Sequence, residues 1–267
     1  MTYQPSVKNR NCLSAERHPF HLVDTSPWPL YLSISLFVTL ILLGRFLSQR
    51  DLSFDYVLIG LFFCAYFFFS WLENVINEAD TGFHLLAVQQ GLIYGFILFI
   101  VSEAMLFFSF FWAFFHLSLS PAISIGMQWP PLGLPSIDPW DVPITSTLIL
   151  LISALYVTLA EKSLAVDDYI EFKHEINMSL LFGTLFTIYQ IEEYNGSLVA
   201  IDEGAYGSIL YAITGLHGVH VIIGCFFIAV GGSEALKKTT SNLSFTFAGW
   251  YWHFVDFIWV FVFIYLY

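Results

Sequence analysis

Charge is what this chain lacks most. Only 11% of its 267 residues are Asp, Glu, Lys or Arg, where a soluble domain carries about 25%. Lys and Arg are the scarcer sign, 9 against 21 Asp and Glu, so no basic face exists to hold a nucleic acid. The three cysteines, Cys12, Cys64 and Cys225, lie far apart without CxxC spacing. That argues against a disulfide or zinc framework and leaves buried spectator thiols. The opening MTYQPSVKNRNCLSAERHPF has no apolar core of the signal-peptide kind, so no cleaved leader is expected. Alternating segments of about ten residues, the mark of a membrane β-barrel, are missing. So is the internal repeat on which many secondary transporters are built.

What remains is oil. The chain is 57% hydrophobic with a mean hydropathy of +0.72, and its long uncharged runs specify an all-α polytopic membrane protein. Seven spans are expected, at about 28–47, 54–75, 85–119, 142–160, 176–193, 205–231 and 245–267. Each reaches or approaches the ~20 residues that cross a hydrocarbon core. They form a single membrane domain over 1–267. Seven Lys and Arg (Lys8, Arg10, Arg17, Lys162, Lys173, Lys237 and Lys238) fall on one side and only Arg45 and Arg50 on the other. The positive-inside rule therefore puts the N-terminus inside and the C-terminus outside. A proline-rich outer loop, SPAISIGMQWPPLGLPSIDPWDVP, joins the third span to the fourth. Trp28, Trp71, Trp129, Trp250 and Trp252 fall near span ends, where interfacial tryptophans belong.

Ionisable residues at membrane depth are costly and point to function. Glu103 is the clearest, in FIVSEAMLFFSFFWAFFH. Its helical neighbours, Phe96, Phe99, Ile100, Leu106, Phe107 and Phe110, are all apolar. No partner on its own helix stabilises an anion, so desolvation favours the neutral acid. Two readings stand side by side: a proton-handling carboxyl, or an inter-helix hydrogen bond that pins the third span. The sixth span carries TGLHGVHVIIG, with His217 and His220 one turn apart; the seventh carries WYWHFVDFIW, with His253 and Asp256 likewise. A metal or haem site would need these histidines, with His116 on the third span, to converge. No HExxH-like pattern accompanies them. The plainer expectation is a set of buried structural groups, bonded to one another and to nearby helices, with Gly215 and Gly218 allowing close approach. Glu192 and Glu193 close the fifth span at the negative end of its dipole and need compensation. His84, Glu73 and Glu78 lie on the inner side between spans two and three, in a loop that could bind lipid headgroups or simply be solvated.

In combination and in order, SPWPL (26–30), QQGLIYGFILFIVSE (89–103), FFWAFFH (110–116), WPPLG (129–133), EGAYGS (203–208), TGLHGVHVIIG (214–224) and WYWHFVDFIW (250–259) resemble cytochrome c oxidase subunit III. The resemblance implies a redox-inactive accessory subunit of the terminal, proton-pumping oxygen reductase. It implies that haem and copper sit in partner subunits, chiefly subunit I, with subunit II and peripheral subunits also in contact. It implies two bundles, spans one and two against spans three to seven, separated by a V-shaped, lipid-filled cleft. Glu103 matches the family's carbodiimide-reactive carboxyl, which supports proton uptake. Headgroup contacts for phosphatidylethanolamine, phosphatidylglycerol or cardiolipin carry over to Trp71, to His84 and to Glu78 or, without a gap, Asn77. Near the end of the sixth span the family's basic residues match Glu234 and Lys237. The first is a charge reversal that would repel a phosphate. By the same resemblance the location is the mitochondrial inner membrane, or a bacterial plasma membrane, and this chain itself holds neither metal nor catalytic residue. The rival readings are a stand-alone proton-coupled transporter or channel using Glu103, and a b-type haem protein using His217, His220 or His253.

Overall fold

The computed structural model describes residues 20–49, 53–131, 133–134, 138–237 and 242–267. Cys12 and the cations Lys8, Arg10, Arg17, Arg50 and Lys238 lie outside these residues. The described chain is all-helical, with seven α-helices: α1 (Trp28–Gln49), α2 (Phe54–Asp80), α3 (Leu86–Leu119), α4 (Val142–Ala165), α5 (Tyr169–Gly196), α6 (Gly204–Lys237) and α7 (Leu243–Leu266). Six are long and apolar enough to cross a membrane. α5 is not among the six, because Glu171, Lys173, His174 and Glu175 crowd its first turns and Gln190, Glu192 and Glu193 its last.

The helices outrun the spans that hydropathy marks. α2 continues to Asp80, α5 begins at Tyr169 and α6 reaches Lys237. Hydropathy reads the hydrocarbon-buried stretch, whereas a helix continues through polar residues until its end groups are capped. Asp168 shows this at α5, where its carboxylate accepts from the backbone N–H of Ile170 and Glu171 at 3.2 and 3.3 Å. At 34 residues, α3 runs about 51 Å at about 1.5 Å per residue, well beyond a hydrocarbon core of about 30 Å.

The chain divides into two compact units, Met1–Leu92 and Ile93–Tyr267. In the first, α1 and α2 pair as a hairpin. Their contact is thin in buried residues but includes Thr39, whose hydroxyl lies 3.4 Å from the Cys64 sulfur. Gly60 leaves room for that Thr39 side chain. Asn74 donates to the Ser26 hydroxyl at 3.3 Å and so holds the segment before α1 against α2.

In the second unit α4 packs on α5 and α7, and α6 on α5 and α7. The core between them holds Phe107, Phe172, Phe186, Phe245, Trp252 and Trp259, each at most 1% exposed. Trp252 is therefore a core residue, not the interfacial one its position near a span end suggests. Its ring fills space that a Cβ on Gly183 or Gly224 would occupy, at 2.8 Å from each. Small residues admit a large ring here, as packing without a hydrophobic driving force requires. Gly218, expected to mediate close approach, has no neighbour within 4 Å of the place a Cβ would take, and Gly215 only the Tyr194 hydroxyl at 4.0 Å. The portion of α3 in this unit meets α6 and α7 through long side chains. Phe96 stacks on Phe247 with ring centroids 4.5 Å apart, and Phe111 meets Phe261 at 6.2 Å.

Candidate functional site

Glu103 has a partner. On α6, 117 residues away, His220 brings its Nε2 to 2.9 Å from the Glu103 carboxylate oxygen Oε2. The His220 side chain is 7% exposed and that of Glu103 is 21% exposed, so one edge of the carboxyl remains open at the surface of the unit. Phe107 meets the imidazole edge-on at 4.9 Å and Tyr251 stacks on it at 6.2 Å. An apolar helix face thus carries the acid, and an aromatic box holds the base.

The tautomer follows from the second nitrogen. His220 Nδ1 lies 2.8 Å from the Leu216 carbonyl, and a carbonyl only accepts, so Nδ1 carries a hydrogen. A single proton then remains to be shared between Nε2 and the carboxyl. Either neutral Glu103 donates to Nε2, or an imidazolium donates to the carboxylate. Both forms are neutral overall. This is how an acid and a base coexist at membrane depth without an uncompensated charge.

The other polar residues of α6 and α7 do not gather around this pair. His217 is fully buried against Phe186 and Trp259, at 5.7 and 5.0 Å between ring centroids. Neither of its nitrogens finds a hydrogen-bond partner among the described residues. His253 lies half-buried with Nε2 3.5 Å from the Thr158 hydroxyl on α4. Asp256 has a buried oxygen, Oδ1, without a partner among the described residues. The expected mutual bonding of His217, His220, His253 and Asp256 is thus replaced by four separate environments. Periodicity put each pair on one helix face but could not say what that face meets. For Glu193 the compensation is local: Gln190 donates to it at 3.3 Å, and α5 continues past it to Gly196.

A second group of polar residues forms at the α2–α3 turn. Trp71 and Glu78 are two turns apart on one face of α2. Gly82 takes the left-handed conformation at φ 93° that turns the chain, and the Phe83 N–H donates to the Glu78 carbonyl at 3.1 Å. His84 follows and is brought next to Glu78. His21, which the sequence did not single out, joins them, with Nε2 3.6 Å from the Glu78 carboxylate and its ring centroid 5.6 Å from that of His84. Burial, and then the nearby His21, hold His84 below the usual histidine value, with Glu78 opposing them. Asn77, the alternative to Glu78, is exposed. Nothing in spacing ties His21 to residues 57 or more positions away.

At the end of α6, Glu234 is buried and accepts from the Lys237 ammonium at 2.7 Å. The charge reversal is met within the helix by an i, i+3 pair.

Known proteins supply the last observation. Residues 18–267 match the family model for cytochrome c oxidase subunit III. Curated relatives named cytochrome c oxidase subunit 3 are similar over almost their whole length. The wheat protein (Triticum aestivum) is 41% identical over 96% of this chain and 98% of its own. That of the fruit fly Drosophila yakuba is 42% identical over 94% and 96%, and that of the sea star Pisaster ochraceus 42% over 94% and 97%. The match takes in α1 to α7, with Glu103, His220 and the α2–α3 turn inside it. On that evidence the chain belongs to the cytochrome c oxidase subunit III family.

Proposed function

We propose that this chain is the redox-inactive accessory subunit of a cytochrome c oxidase, stabilising the catalytic subunit and supporting proton uptake. The near full-length kinship with proteins of that name carries the reading. Haem and copper belong to partner subunits, chiefly subunit I, which this chain contacts together with subunit II and peripheral subunits. α5 crosses the membrane with the other six helices. α1 and α2 form one bundle and α3 to α7 another, with a V-shaped, lipid-filled cleft between. The setting is the mitochondrial inner membrane, N-terminus in the matrix.

Glu103 is the carboxyl that supports proton uptake. The proton it shares with His220 is held without a bare charge in the hydrocarbon, and its open edge leaves it within reach of a hydrophobic carbodiimide. Trp71, Glu78 and His84 receive the headgroup of a structural phospholipid. Lys237, on the same inner side at the end of α6, contributes an ammonium moderated by Glu234. A stand-alone transporter using Glu103 is disfavoured, because a relay needs further titratable groups in line and the pair is enclosed by Phe107 and Tyr251.

Purification of the tagged full chain from its native membrane tests the assignment. Haem and copper are expected to co-purify in stoichiometric amounts and to remain with other subunits when this chain is dissociated. Stoichiometric haem on the isolated chain, or purification without any oxidase subunit, overturns it.

A further inference from the structure

The α2–α3 turn holds a constellation that an accessory, lipid-binding role does not require. His21, Glu78 and His84 each offer one metal-ligating atom, and these atoms all lie within 4.8 Å of one another. We propose that they form a Zn2+ site that fastens the segment before α1 to the α2–α3 turn. No metal was expected from the sequence, since the three residues are scattered over 64 positions and match no ligand spacing.

The donor set specifies the ion. Two imidazoles and one carboxylate form a borderline set that suits Zn2+, leaving a fourth position for water. Ca2+ and Mg2+ want oxygen donors and would find only one carboxylate. Tetrahedral Zn2+ with bonds of about 2.0–2.1 Å places its ligand atoms about 3.4 Å apart. His21 Nε2 and Glu78 Oε2 already stand at 3.6 Å, and the longest separation needs a contraction of about 1.4 Å to reach the ~3.4 Å of that geometry. Side chains at half-exposed positions reach this by rotation about their χ angles.

The surroundings favour a cation. No Lys or Arg occurs anywhere from residue 51 to residue 161, so this chain supplies no ammonium from that stretch to compete for Glu78. Glu73 and Asp80 flank Glu78 on α2, adding negative potential at its end. Both sides of the site are anchored independently of a metal. Asn74 holds Ser26 at 3.3 Å, five residues beyond His21. On the other side Gln89 donates to the His84 carbonyl at 2.9 Å.

The metal competes with the headgroup reading for Glu78 and His84, and only the metal reading requires His21. The test takes the intact membrane complex, stripped with a chelator and returned to Zn2+ alone, and maps anomalous scattering at the zinc edge. A peak among the three side chains is expected, with affinity at that position at least about tenfold weaker in His21→Gln and in His84→Gln. Absence of the peak in the wild-type complex at saturating Zn2+ overturns the proposal whether or not the variants assemble. So does a peak that survives both substitutions. A phospholipid headgroup on Glu78 and His84 without zinc signal also overturns it, while leaving the lipid reading intact.

Discussion

α1, α2 and α3 are mostly uncovered along their apolar stretches, whereas α4, α6 and α7 are covered to a third or more. Of the residues in their apolar stretches, 6% to 11% are buried in the first three helices and 33% to 44% in the second three. Composition does not cause this, because mean hydropathy is as high in α3 as in α6, 2.1 against 2.0. Between α3 and α6 the difference lies in glycine placement. Gly224, Gly231 and Gly232 on α6 sit where a Cβ would come within about 3.1 Å of a neighbouring ring, side chain or backbone, whereas Gly91 and Gly95 on α3 have nothing within 4 Å. In lipid an outward Phe costs nothing, so stability concentrates where glycine lets helices and rings interlock.

The largest effect should come from the bundle. Replacing Trp252 by Ala empties space that Gly183 and Gly224 leave for it, and should cost about 3–5 kcal/mol, read as thermal unfolding of the complex in detergent. Phe62 on α2 is 67% exposed, and Phe62→Ala should change stability by no more than about 0.5 kcal/mol. Equal losses at the two positions would mean that the outward face of α2 is covered by a partner as tightly as the bundle core is covered by itself.

A smaller effect belongs to the α2–α3 turn. His84 titrates below an ordinary histidine because of burial and His21. The unfolded chain therefore binds more protons than the folded turn between the lowered value and about 6.5. Stability of the metal-free turn should be fully present above about pH 6.5 and be lost as pH falls through the lowered value. Hydrogen exchange at the Gly82 and Phe83 amides should accelerate over that range beyond the ordinary pH dependence, and His84→Gln should remove the excess. A profile that weakens as pH rises instead would reverse the sign of this reading.

Much of the architecture is legible in the sequence, and the reasons are physical. Seven apolar runs marked seven helices, and in six of them the length and uniform apolarity that a hydrocarbon core imposes are plain. The helix ends lie up to seven residues outside those runs, at Tyr169 and elsewhere, because polar turns outside the hydrocarbon remain helical until a cap such as Asp168 stops them. Glu103 stood out as a lone acid, and His220 as one of a pair of histidines, but their bond crosses 117 residues. No spacing rule joins α3 to α6 at that point. Trp252 looked interfacial from its place in the run and is core instead, because two glycines on other helices make room for it. His21 was invisible for the same reason as the pair: tertiary proximity, not pattern, gives it meaning.

Glu103 and His220 give the sharpest trial of the view that this subunit handles a proton but performs no redox step. The measurement is oxygen consumption and carbodiimide labelling of the assembled complex carrying Glu103→Gln. Glutamine can donate an amide hydrogen to His220 Nε2 but has no acidic proton. The complex should therefore assemble, lose the label and go on reducing oxygen, while taking up protons more slowly than the wild type. An assembled Glu103→Gln complex that no longer reduces oxygen would contradict this by making Glu103 catalytic, and failure to assemble would reduce the pair to a structural pin.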